Sequence, residues 1–415
     1  MKEALVSPPE IIAAARGAAP TLASLSTAVK NSLLAALADA IRAGRPSLLR
    51  ANDQDVAAAE ARGTRRALLD RLLLTPARIE AMAEGVRRVA DLPDPVGAIM
   101  GTTRRPNGMQ VGRMRVPLGV ILVIYEARPT VTMDAAALCL KAGNAVILRG
   151  GSEARRTLGA LGDIVTAVSG LPPGAVQILN PEGHAGVLEL LRAEGIDLVI
   201  PRGGEELIRT VVEAARAPVL KHARGVCHMF VDRFADLEMA QRLVVNAKTQ
   251  RPSVCNALET LLVDAPIAGL LLPGLIDALR ERGVEVRGDA RAQAAAPGVV
   301  PAAEDEWGRE YLDLILAVRV VDSQEEAQAH IRRHGTGLAE AIVTERLESA
   351  RRFLEAVDSA AVLVNASTRL VDGAEFGLGA EIGISTDRIG PRGPMGLEEL
   401  TTTKWIVLGS GQIRE

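Results

Sequence analysis

GVILVIYEARPTVTMDAAALCLKAGNAVILRGG (119–151) reads as strand, helix, strand. Two short runs of branched apolar residues, GVILVIYE (119–126) and NAVILRGG (144–151), flank VTMDAAALCLKAG (131–143), whose apolar positions recur at helical spacing. Continuous apolar runs of this length fit strands buried on both faces of a sheet. The alternation continues downstream. Helix SEARRTLGALGDIVTAVSG (152–170) leads to strand AVQILN (175–180), helix GHAGVLELLRAEG (183–195), strand IDLVIPRGG (196–204) and helix EELIRTVVEAAR (205–216). Strands alternating with helices of this length predict right-handed βαβ units and a parallel sheet, an α/β fold.

Outward from this core, residues 8–90 read as helical, with three- and four-residue apolar spacing in SLLAALADAIRAG (32–44) and ARIEAMAEGVRRV (77–89). Pro-Gly punctuation follows (91–97, 105–108), and MQVGRMRVPLG (109–119) partly alternates, as in an extended arm or hairpin. A second βα series spans roughly 226–390: CHMFVD (227–232), ADLEMAQRLVVNAK (235–248), LDLILAVRVV (312–321), AEAIVT (339–344) and AAVLVN (360–365). The Ala/Pro-rich stretch 289–307 reads as a surface excursion. TTTKWIVLG (401–409) reads as a further strand, of the kind that pairs with another subunit's edge.

The 415 residues suggest two or three domains. Hydrophobic residues make up 48% and charged ones 24%, a globular composition rather than a disordered one. A net charge of −3 and only four Phe, two Tyr and two Trp argue against a nucleic-acid-coating surface. No apolar run approaches the roughly 18 residues of a membrane span, and MKEALVSPPE lacks a signal-peptide core. Three widely spaced cysteines without CxxC, and five histidines without HExxH, leave a reduced, cytoplasmic, metal-free protein as the expectation.

Several motifs bear chemistry. RGGSE (149–153) and PRGGEE (201–206) each close a strand and open a helix, where free N–H groups can receive a phosphate; a Gly pair at such a turn is otherwise only a tight turn. Cys139 and Cys227 lie within apolar segments and are expected in the core. Cys255, in NAKTQRPSVCNALETLLV (246–263), has Lys248, Arg251, Ser253 and Asn256 close in sequence, a setting that suits a reactive thiol. Arg128 in YEARPT (125–130) and the amide, hydroxyl and guanidinium of NASTR (365–369) end strands, as anion-binding groups or as surface caps. HIRRH (330–334) has i, i+4 spacing but no third ligand nearby in sequence, so a structural role is expected.

These segments together resemble the γ-glutamyl phosphate reductase family of the aldehyde dehydrogenase superfamily. The resemblance rests on VPLGVILVIYEARPTVTMDAAALCLKAGNAVILRGGSEA (116–154), IPRGG (200–204), GVCHMFVD (225–232), NAKTQRPSVCNALETLLV (246–263), EYLDLILAV (310–318), VNASTR (364–369) and FGLGAEIGISTDRIGPRGPMGLEELTTTKWI (376–406). It implies a Rossmann-like NADP-binding domain (1–98 and 118–225), a catalytic α/β domain (226–390) and an oligomerisation element (99–117 and 399–415). It further implies NADPH-dependent reduction of γ-glutamyl phosphate to glutamate 5-semialdehyde, the second step of proline biosynthesis from glutamate. Cys255 becomes the nucleophile. Arg149 and Ser152 fall at the adenosine ribose, Gly203 and Gly204 at the pyrophosphate and Glu310 at the nicotinamide ribose, with Gly150 and Gly151 among the cofactor-binding residues. Arg128, Asn256, Asn365, Ser367 and Arg369 are the expected substrate contacts. Ser152, neutral where NAD-preferring relatives often carry Glu, leaves room for a 2′-phosphate.

The departures also carry information. The Asn that hydrolytic aldehyde dehydrogenases place for the oxyanion is replaced near Ala127, and their Glu base has no counterpart in LKHARGV (220–226). A thioester cleaved by phosphate needs no base to activate water. Leu338 and Ala339 stand where the family usually has His followed by Ser or Thr. The alternatives are a hydrolytic aldehyde dehydrogenase and a catalytically silent oligomeric scaffold. A homo-oligomer is expected, as is association with glutamate 5-kinase, because acyl phosphates are labile in water.

Overall fold

The computed structural model describes residues 7–126, 128–179, 183–221 and 224–414. Ala127, singled out above for the oxyanion position, lies outside them, as do Asn180, His222 and Ala223. The chain divides into two compact units. The first comprises 1–221, 377–383 and 395–415, and the second 222–376 and 384–394.

In the first unit, four parallel strands lie in the order Val176–Leu179, Ala145–Arg149, Val120–Tyr125, Leu198–Arg202. Every residue of Val120–Tyr125 is buried, as a central parallel strand covered on both faces requires. Helices Pro8–Ser24, Thr27–Ala43, Arg45–Ala61 and Pro76–Asp91 share its core with helices Pro129–Lys141 and Arg155–Thr166. Their starts are set locally. Ser26 accepts from the Val29 N–H and Thr75 from the Arg78 N–H, satisfying amides that have no partner within the helix. From the edge strand Val176–Leu179 the chain crosses to Leu198–Arg202 on the far side of Val120–Tyr125. The switch point therefore lies between the strands that end at Tyr125 and Arg202, and ligands of open α/β sheets bind there, at the carboxyl ends.

The same unit holds a three-stranded antiparallel sheet, Ile99–Arg104, Gln110–Pro117 and Thr401–Leu408. The stretch 109–119 is thus one arm of a hairpin. The terminal strand, expected to seek another subunit's edge, pairs along its full length with the chain's own Gln110–Pro117.

The second unit is built on seven strands paired in parallel: Val300–Pro301, Glu285–Gly288, Ile315–Val321, Leu258–Asp264, Cys227–Val231, Ala339–Val343, Ala361–Val364. Helices Leu237–Thr249, Ala265–Arg280 and Ala290–Ala295 cover one face, where Leu261, Val263 and Val318 meet Val244, Leu272 and Ala292. Helices Gln324–His334 and Leu347–Ala356 cover the other through Phe230, Leu262, Ile331 and Phe353. The stretch 289–307 is not a surface excursion. It supplies a helix and an edge strand, and it buries Ala292, Ala296 and Trp307, because small alanines pack closely where a larger side chain would not fit.

Candidate active site

Residues 149–152 and 203–204 sit at the carboxyl ends of the two strands that flank Val120–Tyr125 in the first unit. At the first turn, a Cβ on Gly150 would lie 2.6 Å from Leu158 and 3.0 Å from the Tyr125 ring, so only glycine lets the strand end approach them. Arg149 is half-buried; loss of water lowers its pKa, while Glu153 and Tyr125 oppose that. Ser152 is exposed and opens a short 3₁₀ turn ahead of helix Arg155–Thr166. At the second turn, Gly204 precedes helix Glu205–Ala214, and its N–H donates to Glu126 Oε2 at 2.9 Å. Glu126, which the sequence reading passed over, thus takes up an amide expected to face a pyrophosphate. Arg128 lies at the start of helix Pro129–Lys141, beside the switch point.

In the second unit Cys255 lies on a turn ahead of strand Leu258–Asp264, closed by the Ala257 N–H donating to the Val254 carbonyl. Four groups pin this turn. The Cys227 thiol lies 3.3 Å from the Cys255 carbonyl and donates to it. Thr368 Oγ1 donates to the Asn256 carbonyl at 2.8 Å, Asn256 Nδ2 donates to the Val371 carbonyl at 2.9 Å, and Arg369 donates to Asn256 Oδ1. Gly225 packs behind the turn so closely that a Cβ there would stand 1.9 Å from the Cys255 carbonyl oxygen. Cys255 is partly exposed, while Cys139 and Cys227 are buried with their thiols pushed up by loss of water. Leu338 and Ala339, the two departures from the family pattern, pack with Cys227, Ala361, Val371 and Ile384 as an apolar floor against which Cys255 also rests.

The expected substrate residues separate into two groups. Asn256, Ser367 and Arg369 converge near the thiol. Arg369 also donates to Gln250 at 2.9 Å, and Ser367 Oγ donates to Asn246 at 2.7 Å. The Arg369 pKa is lowered by burial and opposed by Asp372, with Arg251 and Cys255 within electrostatic reach. Asn365 instead follows the carboxyl end of strand Ala361–Val364, whereas Cys255 precedes the amino end of its strand. Its amide is clamped to the Thr344 backbone through both atoms, at 2.9 Å each. Lys248, expected to make the approach to the thiol basic, turns inward and pairs with Glu259 at 2.8 Å, both fully buried. Glu310 accepts from the Gly225 N–H at 2.9 Å. Among the described residues no group of three or more His, Cys, Asp or Glu could hold a metal, and no helix is long and apolar enough to cross a membrane.

Residues 8–304 match the aldehyde dehydrogenase family model. The γ-glutamyl phosphate reductase of Moorella thermoacetica is 56% identical over 97% of each chain, and that of Geobacter metallireducens 54% identical over 98% of each. The crystal structure of the γ-glutamyl phosphate reductase of Thermotoga maritima matches with a TM-score of 0.95 at 44% identity, over 99% of this chain and 100% of that one. The chain belongs to the γ-glutamyl phosphate reductase family. The wider fold is shared with betaine aldehyde dehydrogenase of Staphylococcus aureus, at a TM-score of 0.69 and 18% identity over 98% of this chain and 90% of that one.

For a member of the γ-glutamyl phosphate reductases, the groups that sequence reasoning missed are those that hold the turn carrying Cys255. Cys227, Thr368 and Val371 reach the Cys255 turn from positions 28 to 115 residues away. No local pattern announces such contacts.

Proposed function

We propose that this protein reduces L-γ-glutamyl 5-phosphate to L-glutamate 5-semialdehyde with NADPH and releases phosphate, through a thioester on Cys255. The observation that supports this reading most is the fixation of the Cys255 turn from four sides beside Arg369. A nucleophile held in one geometry reacts without first ordering itself.

The Cys255 thiolate attacks the acyl carbon, forming a C–S bond as the C–O bond to phosphate breaks. The oxyanion of that addition is held by the Cys255 backbone N–H. Arg369, with Arg251 near it, balances the charge of the phosphate, and Ser367 and Asn256 hold Arg369 in register. Bound NADPH supplies the hydride. Cys255 then leaves as the thiolate when the thiohemiacetal collapses to the aldehyde. Arg128 is assigned to a substrate carboxylate or phosphate. Asn365, with both amide atoms on Thr344, is assigned a structural role.

The first unit's turns fit a dinucleotide by their chemistry: helix-terminal amides, glycines that admit close approach, and one arginine. Arg149, Gly150, Gly151 and Ser152 would hold the adenosine ribose and its 2′-phosphate, Gly203 and Gly204 the pyrophosphate, and Glu310 the nicotinamide ribose. Contact at Gly204 implies that Glu126 yields that N–H to the ligand. We further assign the protein to the cytoplasm and to a homo-oligomer, with glutamate 5-kinase as the supplier of its labile substrate.

The test is a rapid-mixing experiment with glutamate 5-semialdehyde and NADP in the absence of phosphate. An acyl-enzyme mechanism gives a burst of about one NADPH per active site and then slow turnover. Cys255→Ala gives no burst. A burst retained in that variant, or rapid phosphate-free turnover, contradicts the reading.

A further inference from the structure

Among the described residues two non-glycine backbones lie in the left-handed region, Leu312 at φ 54° and Asn365 at φ 53°. Asparagine adopts this conformation readily, and Asn365 is clamped by its own amide. Leucine does not, so something must hold Leu312 there. Its N–H donates to Glu259 Oε1 at 3.2 Å. Glu259 projects from strand Leu258–Asp264, and its other oxygen takes Lys248 Nζ from helix Leu237–Thr249. A fully buried ion pair is weak evidence of stabilisation, because desolvating two charges offsets most of their attraction. Its place beneath an unfavourable backbone suggests a different purpose.

Three consecutive residues of that loop are anchored. Glu310 accepts from the Gly225 N–H, and Gly225 lies against the Cys255 carbonyl. The Tyr311 ring is flanked by Lys248 Nζ at 5.9 Å and by the guanidinium groups of Arg287 and Arg309 at 5.7 and 5.8 Å. Leu312 hangs from Glu259. Burial pushes the Glu259 carboxyl up to about 7, and Lys248 works against that rise.

We propose that the buried Lys248–Glu259 pair is a positioning device for the dinucleotide: Glu259 holds Leu312 left-handed, and Leu312 sets the direction of the Glu310 carboxylate. The inference rests on the assignment of Glu310 to the nicotinamide ribose. Lys248 and Glu259 touch neither substrate nor cofactor; they act through the loop.

NADPH affinity is measured by fluorescence on the intact protein, beside thermal unfolding. Lys248→Met/Glu259→Leu replaces the pair with apolar groups and leaves no buried charge behind, so the fold persists. It weakens NADPH binding about tenfold, the usual scale for a hydrogen bond to a charged group. Adding Leu312→Gly, which makes φ near +54° accessible without help, restores most of that loss. Should the double variant fail to fold, Glu259→Gln with and without Leu312→Gly makes the same comparison. Wild-type affinity in the pair variant overturns the proposal. Weakened affinity that Leu312→Gly does not restore overturns it as well, because a merely structural role for the pair predicts that result. Glu310→Gln is the separate control. If it leaves NADPH affinity unchanged, the assignment of Glu310 fails, and the proposal fails with it. If it weakens binding while the pair variant does not, the assignment stands and the positioning role alone is lost.

Discussion

His330 is buried in the second unit among other polar side chains. His228 pairs in register with Thr260 on one side and Glu340 on the other, so the three side chains form a row across neighbouring strands. His228 Nδ1 lies 3.0 Å from Glu340, and the His330 ring closes over the row, 5.5 Å from the His228 ring and 4.6 Å from that of His334. Burial holds the His330 pKa down to about 2, helped by repulsion from His228, His334, Arg319 and Arg333. A histidine whose pKa is depressed by folding binds its proton better when unfolded. The stability it confers is therefore full above its ordinary value near 6.5 and is lost as pH falls toward 2, at about 2 kcal/mol by pH 5. His330→Phe, which keeps a ring against Trp307, reduces the drop in thermal midpoint between pH 8 and pH 5. An unchanged drop contradicts this assignment. The i, i+4 histidines stood out in the sequence, but the row beneath His330 did not, because its members lie on three strands. Cys255 stood out as a candidate because the polar, basic residues around it are close in sequence. Lys248 misled for the same reason: its charge is visible in sequence, while its partner Glu259 is set by the fold.

Among the elements, strands that are continuous apolar runs were legible to within a residue or two; CHMFVD predicts Cys227–Val231, and AAVLVN predicts Ala361–Val364. Glu285–Gly288 escaped notice because its residues, EVRG, carry no apolar pattern, and NALETLLV read only as an apolar segment because buried Glu259 interrupts the run. The three-stranded sheet shows a different limit. Its middle strand and its terminal strand both read as extended, but their pairing joins segments nearly 300 residues apart. The terminal strand leaves Trp405, Val407 and Leu408 exposed, with Ile99 and Met100 exposed on the opposite edge strand, and the Arg113 guanidinium lies 4.5 Å from the Trp405 ring centre. An exposed apolar edge of this kind is a template for association. Val407→Lys together with Leu408→Lys is expected to lower the assembled mass in sedimentation while leaving the thermal midpoint within a few degrees. The same runs with glutamate 5-kinase added read out the second partner. An unchanged mass contradicts the oligomer assignment at this sheet.

For the molecule as a whole, a switch point with two Gly-rich strand ends belongs to one unit and a pinned thiol with its arginine to the other. The sequence reading divided the chain near 225/226, and the compact units divide at 221/222. What it left out is the return of 377–383 and 395–415 to the first unit, where Ile382, Met395, Leu397 and Leu400 enter the core. Asn144 Nδ2 donates to the Leu400 carbonyl at 2.8 Å, a contact across 256 residues that no local pattern predicts. In the proposed reaction one thiol carries the acyl group between phosphate and hydride transfer. Its most direct test is steady-state NADPH formation from glutamate 5-semialdehyde and NADP, with and without inorganic phosphate, for wild type and Cys255→Ala. Sustained formation that requires phosphate and disappears in the variant is expected. Equal rates without phosphate, or full activity in the variant, would contradict it.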